Sequence, residues 1–354
     1  MTALTAPARP AEDASPRPVP WRRMAWVTWR HHRVALAGVV AFLGALAVWL
    51  WITGLSVHHA YAAAAACRPA GSANCTNLAI IFESTNSFLK GGFVLQPVPA
   101  LIGAFIGPVV LARELETGTF RYAWTQAFGR RRWAVAKLVA LGAAVAALAG
   151  AFSVLLSWYY QPYVAAQNAP NVAAGASPLS AGLFDLRGVA FPAWTLVAFS
   201  IGVLAGMLIR RIVPAIVATL AAYAALALLT ANVLRQHYLA PLVARNQHIP
   251  ASAWLISEWW TKGGRFVFGS RIPLGLLPQL CPGTFTANGN GGVTTSGGPS
   301  SPTQCLLQHG YTEWANYQPI SHFWPLQWIE GGWLLALSGL LAAVTVWLVH
   351  NRAA

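Results

Sequence analysis

The residue types that most often carry hydrolytic chemistry are scattered through the polar stretches of this chain. His58, His59 and Glu83 share one stretch, and a later stretch holds His237, His248, His309 and His322. None of these residues stands in an HExxH motif, and no GxSxG is present. The GxxxxGK[ST] pattern that cradles nucleotide phosphates is also missing. The sequence thus argues against nucleotide hydrolysis by a P-loop, and a membrane-embedded enzyme is kept only as an alternative.

A denser pattern lies in residues 112–137, "ARELETGTFRYAWTQAFGRRRWAVAK", which hold two carboxylates, five arginines and a lysine. Apolar side chains recur there at i, i+3, i+4 and i+7, namely Phe120, Ala123, Trp124 and Ala127. Glu114, Arg121 and Thr125 fall on the opposite side. The spacing predicts an amphipathic helix from about Glu116 to Phe128 that lies along a membrane surface. A positive loop that only sets topology is the simpler alternative.

The elements around this segment are long and apolar. Of the 354 residues, 56% are hydrophobic and only 9% are charged, whereas a soluble domain carries about 25% charged residues. Six stretches are each long enough to cross a bilayer as a helix. These spans are residues 34–55, 93–112, 138–160, 189–209, 212–233 and 328–349. We therefore predict an all-α integral membrane protein whose transmembrane domain covers residues 34–349.

Lys and Arg predict the orientation of these spans. With a cytoplasmic N-terminus, the inside segments hold 15 of the 23 basic residues, as the positive-inside rule requires. Both termini and residues 112–137 are then cytoplasmic. The net charge of +14 suits anionic lipid at that surface. No folded basic domain is visible, so no nucleic-acid partner is expected.

Two N-terminal segments and one large loop complete the expected layout. Residues 1–20 are Pro- and Ala-rich and predict a disordered cytoplasmic tail. Residues 21–33 predict an amphipathic helix on the cytoplasmic leaflet, with a simple positive flank to span 1 as the alternative. Residues 234–327 form the largest outside loop, whose Gly/Ser/Thr tract favours a cap or irregular lobe over a catalytic domain.

The four cysteines occur two to a loop on the predicted outer face. Cys67 and Cys75 share the first outside loop, and Cys281 and Cys305 share the last. An oxidising compartment favours the disulfides Cys67–Cys75 and Cys281–Cys305. A zinc site is the alternative, although the Cys-x7-Cys spacing lacks the usual short ligand pair.

Ionisable residues are missing from the central parts of all six spans. A carrier driven by protons or ions usually needs such groups inside the membrane. Glu330 lies near the outer end of span 6, where it is either a gate residue or a side chain in the headgroup zone. Secondary transport through a carboxylate relay is therefore poorly supported.

The run "ARELETGTFRYAWTQAFGRRRWAVAKL" closely resembles the cytoplasmic coupling segment of permease subunits in type-2 ATP-binding-cassette transporters, especially the actinobacterial branch. Two shorter runs support the resemblance: "LFDLRG" before span 4, and "YQPISHFWPLQWIEGG" at the start of span 6. Six spans and an N-terminal amphipathic helix are similar as well. The glycine-rich insertion at 283–301 has no counterpart that we can place in the family.

The resemblance implies a permease that exports a drug- or lipid-like amphipathic compound through the cell membrane. Two permease protomers, expected as a homodimer, would work with two copies of a separate ATPase subunit. ATP and Mg²⁺ would bind that partner, so no cofactor is expected on this chain. Coupling to the ATPase would involve Glu114, Glu116, Gly118, Thr119, Arg121, Trp124, Thr125 and Gln126.

The resemblance also implies roles for other positions. Arg130, Arg131 and Arg132 would anchor the coupling segment to lipid or to the ATPase. Spans 2 and 5 would line the path, with Pro97, Pro99, Pro108 and Glu330 as pore or gate candidates. Each proline is expected to bend span 2, because proline lacks the N–H that an interior helical hydrogen bond needs. A sensor or assembly subunit that does not transport is the alternative function.

Overall fold

A computed structural model of the chain describes residues 21–117, 130–168, 172, 177–247, 249–273, 275–282, 285–287, 293–295 and 302–352. Within them the α-helices are α1 (Trp21–Ala66), α2 (Ala73–Ser84), α3 (Ser87–Lys90), α4 (Pro97–Thr117), α5 (Arg130–Ala165), α6 (Ala181–Phe184), α7 (Ala190–Ile209), α8 (Ile212–Leu229), α9 (Leu276–Leu280), α10 (Pro302–Gln308) and α11 (Phe323–Arg352). A π-helical segment, Thr230–Leu234, extends α8.

Six of the described helices, α1, α4, α5, α7, α8 and α11, are long and apolar enough to cross a membrane. This agrees with the predicted number of spans. Helix α7 lies at the centre, where it contacts α4, α5, α8 and α11. Connections between consecutive spans alternate between the two ends of the bundle, so the loops after α1, α5 and α8 share one end. We call it the lobe end.

The N-terminal segment differs from the prediction. Residues 21–33 were expected to form a separate helix along the membrane surface, but α1 is a single helix from Trp21 to Ala66. Its 46 residues span about 69 Å at ~1.5 Å per residue. Neither Gly nor Pro interrupts the sequence between Arg30 and Leu36, so nothing at the predicted boundary ends the helix.

Four glycines let α4 and α7 cross closely. A Cβ at Gly107 would lie 2.6 Å from the carbonyl oxygen of Phe199, and one at Gly202 would lie 2.8 Å from Cδ of Pro108. Gly103 and Gly206 face the same crossing. Gly202 and Gly206 of α7 and Gly103 and Gly107 of α4 thus supply the two facing surfaces of a close helix contact.

The loop after α8 folds into a lobe that contains a β-sheet, which the all-α class did not predict. Its strands are β1 (Leu242–Arg245), β2 (Trp254–Lys262), β3 (Arg265–Gly269), β4 (Phe285–Ala287), β5 (Val293–Thr295) and β6 (Tyr311–Gln318). Antiparallel pairing gives a four-stranded sheet in the order β1-β6-β2-β3, and β4 pairs with β5.

Local sequence accounts for this sheet. Strand β2 is rich in aromatic and apolar residues, which favour strands. Gly263 and Gly264 connect β2 to β3 with φ of 57° and 80°, the positive values that a two-residue hairpin turn needs at both positions. Trp260 and Phe268 pack with Leu306 beneath the sheet. The lobe thus has a hydrophobic core of its own.

Both predicted disulfides are present. Cys67–Cys75 closes the connection between α1 and α2, with Cα atoms 5.5 Å apart. Cys281–Cys305 joins the end of α9 to α10 inside the lobe, with Cα atoms 6.3 Å apart. His309 Nδ1 lies 3.7 Å from Cys281 Sγ. Because both sulfurs are bonded to each other, this group is not a thiolate site for zinc.

Replacing Cys281 and Cys305 together with serine is expected to destabilise the lobe by about 3 kcal/mol, because the disulfide no longer restricts the unfolded chain. Limited proteolysis of the purified protein checks this through faster cleavage between β1 and β6. The matched control is the Cys67→Ser, Cys75→Ser pair, which should leave lobe cleavage unchanged. Equal cleavage rates in the parent protein and both variants would contradict the prediction.

Candidate functional site

The predicted coupling segment is only partly within the described residues. Gly118, Thr119, Arg121, Trp124, Thr125 and Gln126 lie outside them. Helix α4 continues to Thr117 and helix α5 begins at Arg130. The coupling segment therefore begins inside α4, and the arginines that follow it begin α5.

Glu116 connects this segment to a third spanning helix. Its side chain is exposed, and its Oε1 accepts a hydrogen bond of 3.4 Å from the backbone N–H of Ile212, the first residue of α8. The first N–H groups of a helix have no partner within the helix and carry partial positive charge, so a carboxylate is favourable there. Glu116 thus links the end of α4 to the start of α8.

The basic residues after the segment occupy the first turns of α5. Arg131 is exposed and Arg132 is half-buried, whereas Lys137 is buried with its Nζ 4.3 Å from the centre of the Trp133 ring. Nothing is described of the side chains of Glu114 and Arg130. The roles predicted for these residues stay predictions.

At the lobe end, the structure brings together three charged residues that are far apart in the sequence: Asp185, Arg235 and Glu330, which we call the charge cluster. Arg235 donates from Nε to Glu330 Oε2 at 2.9 Å and from Nη2 to Glu330 Oε1 at 2.8 Å. The same Nη2 also donates to Asp185 Oδ1. The exposed fraction of the side chain is 21% for Asp185, 2% for Arg235 and 0% for Glu330.

Neighbouring groups complete the cluster. Trp194 Nε1 donates to Glu330 Oε1 at 3.0 Å, and the Arg235 guanidinium carbon lies 4.4 Å from the centre of the Phe184 ring. Glu330 is therefore a buried, fully hydrogen-bonded partner of Arg235. A buried charge of this kind is tolerated only when it is paired and hydrogen-bonded.

A second contact holds the same elements together. Gln327 Oε1 accepts from the N–H of Ala190 at 2.9 Å, and Gln327 Nε2 donates to the carbonyl of Phe184 at 2.8 Å. Gly188 has a φ of +62°, and a Cβ there would lie 2.9 Å from Gln327 Oε1. The runs "LFDLRG" and "YQPISHFWPLQWIEGG" therefore meet in one place, where the second run packs on the first.

Sequence reasoning missed Asp185 and Arg235 as members of a site. Arg235 was assigned to the outside loop because span 5 was expected to end at residue 233. The π-helical segment extends that span, and it places Arg235 on the buried side of the chain while the following His237 is exposed. The sequence signal was a charged residue close to the end of each of two predicted spans: Asp185 before span 4 and Arg235 after span 5.

A cleft of about 430 Å³ lies beside the charge cluster. We call it the Asp185 cleft. It is bordered by Pro97 and Pro99 of α4, by Asp185, and by Tyr223, Ala224 and Leu228 of α8. Asp185 is the only charged side chain among the described residues that line it. Burial raises the pKa of the Asp185 carboxyl to about 7, opposed by Arg235 and reinforced by Glu330.

Residues 40–235, more than half of the chain, match the family model described as ABC-2 membrane transporter related. The chain belongs to the ABC-2 membrane transporter-related family.

Neither the curated proteins nor the solved structures contain a significant match to this ABC-2-related protein. The matched residues end at Arg235, so they include Glu116, Asp185 and the Asp185 cleft. Glu330 and the lobe lie beyond them. Membership of the family, with six apolar helices, supports a multi-pass membrane permease.

The prolines of α4 in this ABC-2-related protein differ from one another in effect. Pro97 is the first residue of the helix and Pro99 lies in its first turn. The N–H groups of a first turn have no helical partner, so proline removes no hydrogen bond there. The expectation that all three prolines bend span 2 is therefore wrong for Pro97 and Pro99. Pro108 alone lies inside the helix.

Proposed function

We propose that this protein is the permease subunit of an ABC exporter in the cell membrane, moved by two copies of a separate ATPase subunit that bind ATP and Mg²⁺. Its substrate is an amphipathic compound that leaves the cell, and the functional unit is a homodimer of permeases. Family membership supports the permease role. The N- and C-termini and the segment from Glu114 to Arg132 face the cytoplasm in this proposal.

The observation that carries the proposal is the hydrogen bond from Ile212 to Glu116. The coupling segment is covalently continuous with α4 and α5, and Glu116 adds a direct link to the start of α8. Displacement of the segment by an ATPase would therefore act on three spanning helices together. Two of them, α4 and α8, border the Asp185 cleft.

Charge reversal of Glu116 and Arg121 together tests this coupling. The Glu116→Lys, Arg121→Glu protein is expected to lose at least about tenfold of its ATP-driven substrate movement in proteoliposomes. The physical reason is that lysine at position 116 repels the partially positive N-terminus of α8. The ATPase activity that co-purifies with the permease reports whether the ATPase subunit still binds.

The matched control is Glu83→Lys with Arg265→Glu, which makes the same charge changes at the lobe end, in α2 and β3. This protein should retain both ATPase binding and transport. Equal transport by the two double variants would overturn the coupling proposal. ATPase binding without ATP-dependent substrate movement in the parent protein would instead favour the sensor or assembly subunit.

A further inference from the structure

We propose that the Asp185 cleft binds a small amphipathic organic cation, with the cationic group against the Asp185 carboxylate and the apolar body between α4 and α8. The inference rests on the proposed function, because it names the substrate class of the permease. Three features of the site support it: the charge balance of the cluster, the unequal exposure of its members, and the lining of the cleft.

The charge cluster holds one guanidinium and two carboxylates. Arg235 forms two hydrogen bonds with Glu330, which accepts a third from Trp194. Arg235 also donates to Asp185, but one guanidinium neutralises only one of the two carboxylates, so the ionised cluster carries one net negative charge. A cation of complementary charge would balance it, and a buried carboxylate favours such a partner strongly.

Access to the three groups is unequal. The side chains of Arg235 and Glu330 are 2% and 0% exposed, whereas that of Asp185 is 21% exposed and borders the cleft. A ligand in the cleft therefore meets the carboxylate and not the guanidinium. This asymmetry selects cations over anions.

The rest of the cleft suits an apolar body. Pro97 and Pro99 form one side, and Ala224 and Leu228 form the other. Tyr223 packs edge-on against Trp194, with ring centres 5.4 Å apart, and closes the inner wall. A volume of about 430 Å³ lies in the range of sites for drug-sized ligands, roughly 300–1,000 Å³.

The proposal predicts a pH dependence with a definite sign. Asp185 faces Tyr223 of α8, Arg235 directly after the π-helical extension of α8, and Glu330 of α11. Among the described residues that line the cleft, α4 presents no titratable side chain. Protonation below pH 7 removes the negative charge of Asp185. Cation affinity should therefore fall by about tenfold between pH 8 and pH 6.

The test compares two ions of nearly the same shape and opposite charge, tritium-labelled tetraphenylphosphonium and tetraphenylborate. Binding is measured on the full chain in lipid nanodiscs, after subtraction of binding to nanodiscs without protein. Saturable binding of the phosphonium, at least about tenfold weaker in Asp185→Asn and unaffected by Glu83→Gln, is the expected result. Equal affinity for the two ions, or equal phosphonium affinity of parent and Asp185→Asn, would overturn the proposal.

A second variant covers the case in which Asp185→Asn does not fold. Ala224→Trp fills the cleft from the exposed side of α8 and leaves the charge cluster unchanged. It should abolish phosphonium binding, whereas Val217→Trp on the same helix, away from the cleft, should not. Unchanged binding in Ala224→Trp would refute the site. Failure of this inference is separable from failure of the proposed function, since binding here needs neither ATP nor the ATPase subunit.

Discussion

Replacement of Glu330 with alanine is expected to destabilise the protein by about 3 kcal/mol, because the buried Arg235 loses two of its three carboxylate hydrogen bonds and keeps only the one to Asp185. The side chain of Arg235 is only 2% exposed, so water cannot readily replace the lost hydrogen bonds. Trp194 Nε1 would lose its acceptor at the same time. The thermal unfolding temperature and the monodisperse fraction after solubilisation in detergent measure the effect.

Two further variants test whether the lost pairing of Arg235 causes this destabilisation. Glu83→Gln, at a half-exposed position of α2, should change the unfolding temperature little. The triple replacement Glu330→Leu, Arg235→Met, Asp185→Leu removes all three charges and should recover most of the stability lost in Glu330→Ala, since no unpaired charge remains. A triple variant as unstable as Glu330→Ala would show that the pairing of charges is not the cause.

Leucine at Gly202 is expected to separate α4 from α7 and to cost about 3 kcal/mol or more. A Cβ at this position would already lie 2.8 Å from the carbonyl oxygen of Gly103 and from Pro108 Cδ, which real contacts do not allow. Because α7 lies at the centre of the bundle, local repacking cannot relieve the overlap. Loss of the folded, monodisperse protein is the measured outcome.

Gly44→Leu is the matched control for this change. Gly44 lies in α1, and a Cβ there has nothing within 4 Å among the described residues. Leucine has the higher helix propensity, so stability should stay the same or rise by up to about 1 kcal/mol. If Gly202→Leu were as stable as Gly44→Leu, the helices would not depend on close contact at this crossing.

Sequence alone was sufficient for the features that depend on local composition. A spanning helix needs only a long apolar run with its backbone hydrogen bonds satisfied internally, so the number of spans was predictable. The disulfides followed from two cysteines in each of two loops. The lobe sheet was not predicted, because β2 and β6 are paired although they are distant in the sequence, and only the Gly263–Gly264 turn marks a hairpin locally.

The membrane class, the six spans and the distinctive segment at residues 112–137 were thus determined by the sequence itself, since hydropathy and helical period are local properties. The partners of individual charges were decided by tertiary structure. Arg235 lies 50 residues from Asp185 and 95 from Glu330, and no local pattern specifies which distant carboxylate an arginine meets. Only the packing of α7, α8 and α11 places these groups within hydrogen-bonding distance, and it also forms the cleft beside them.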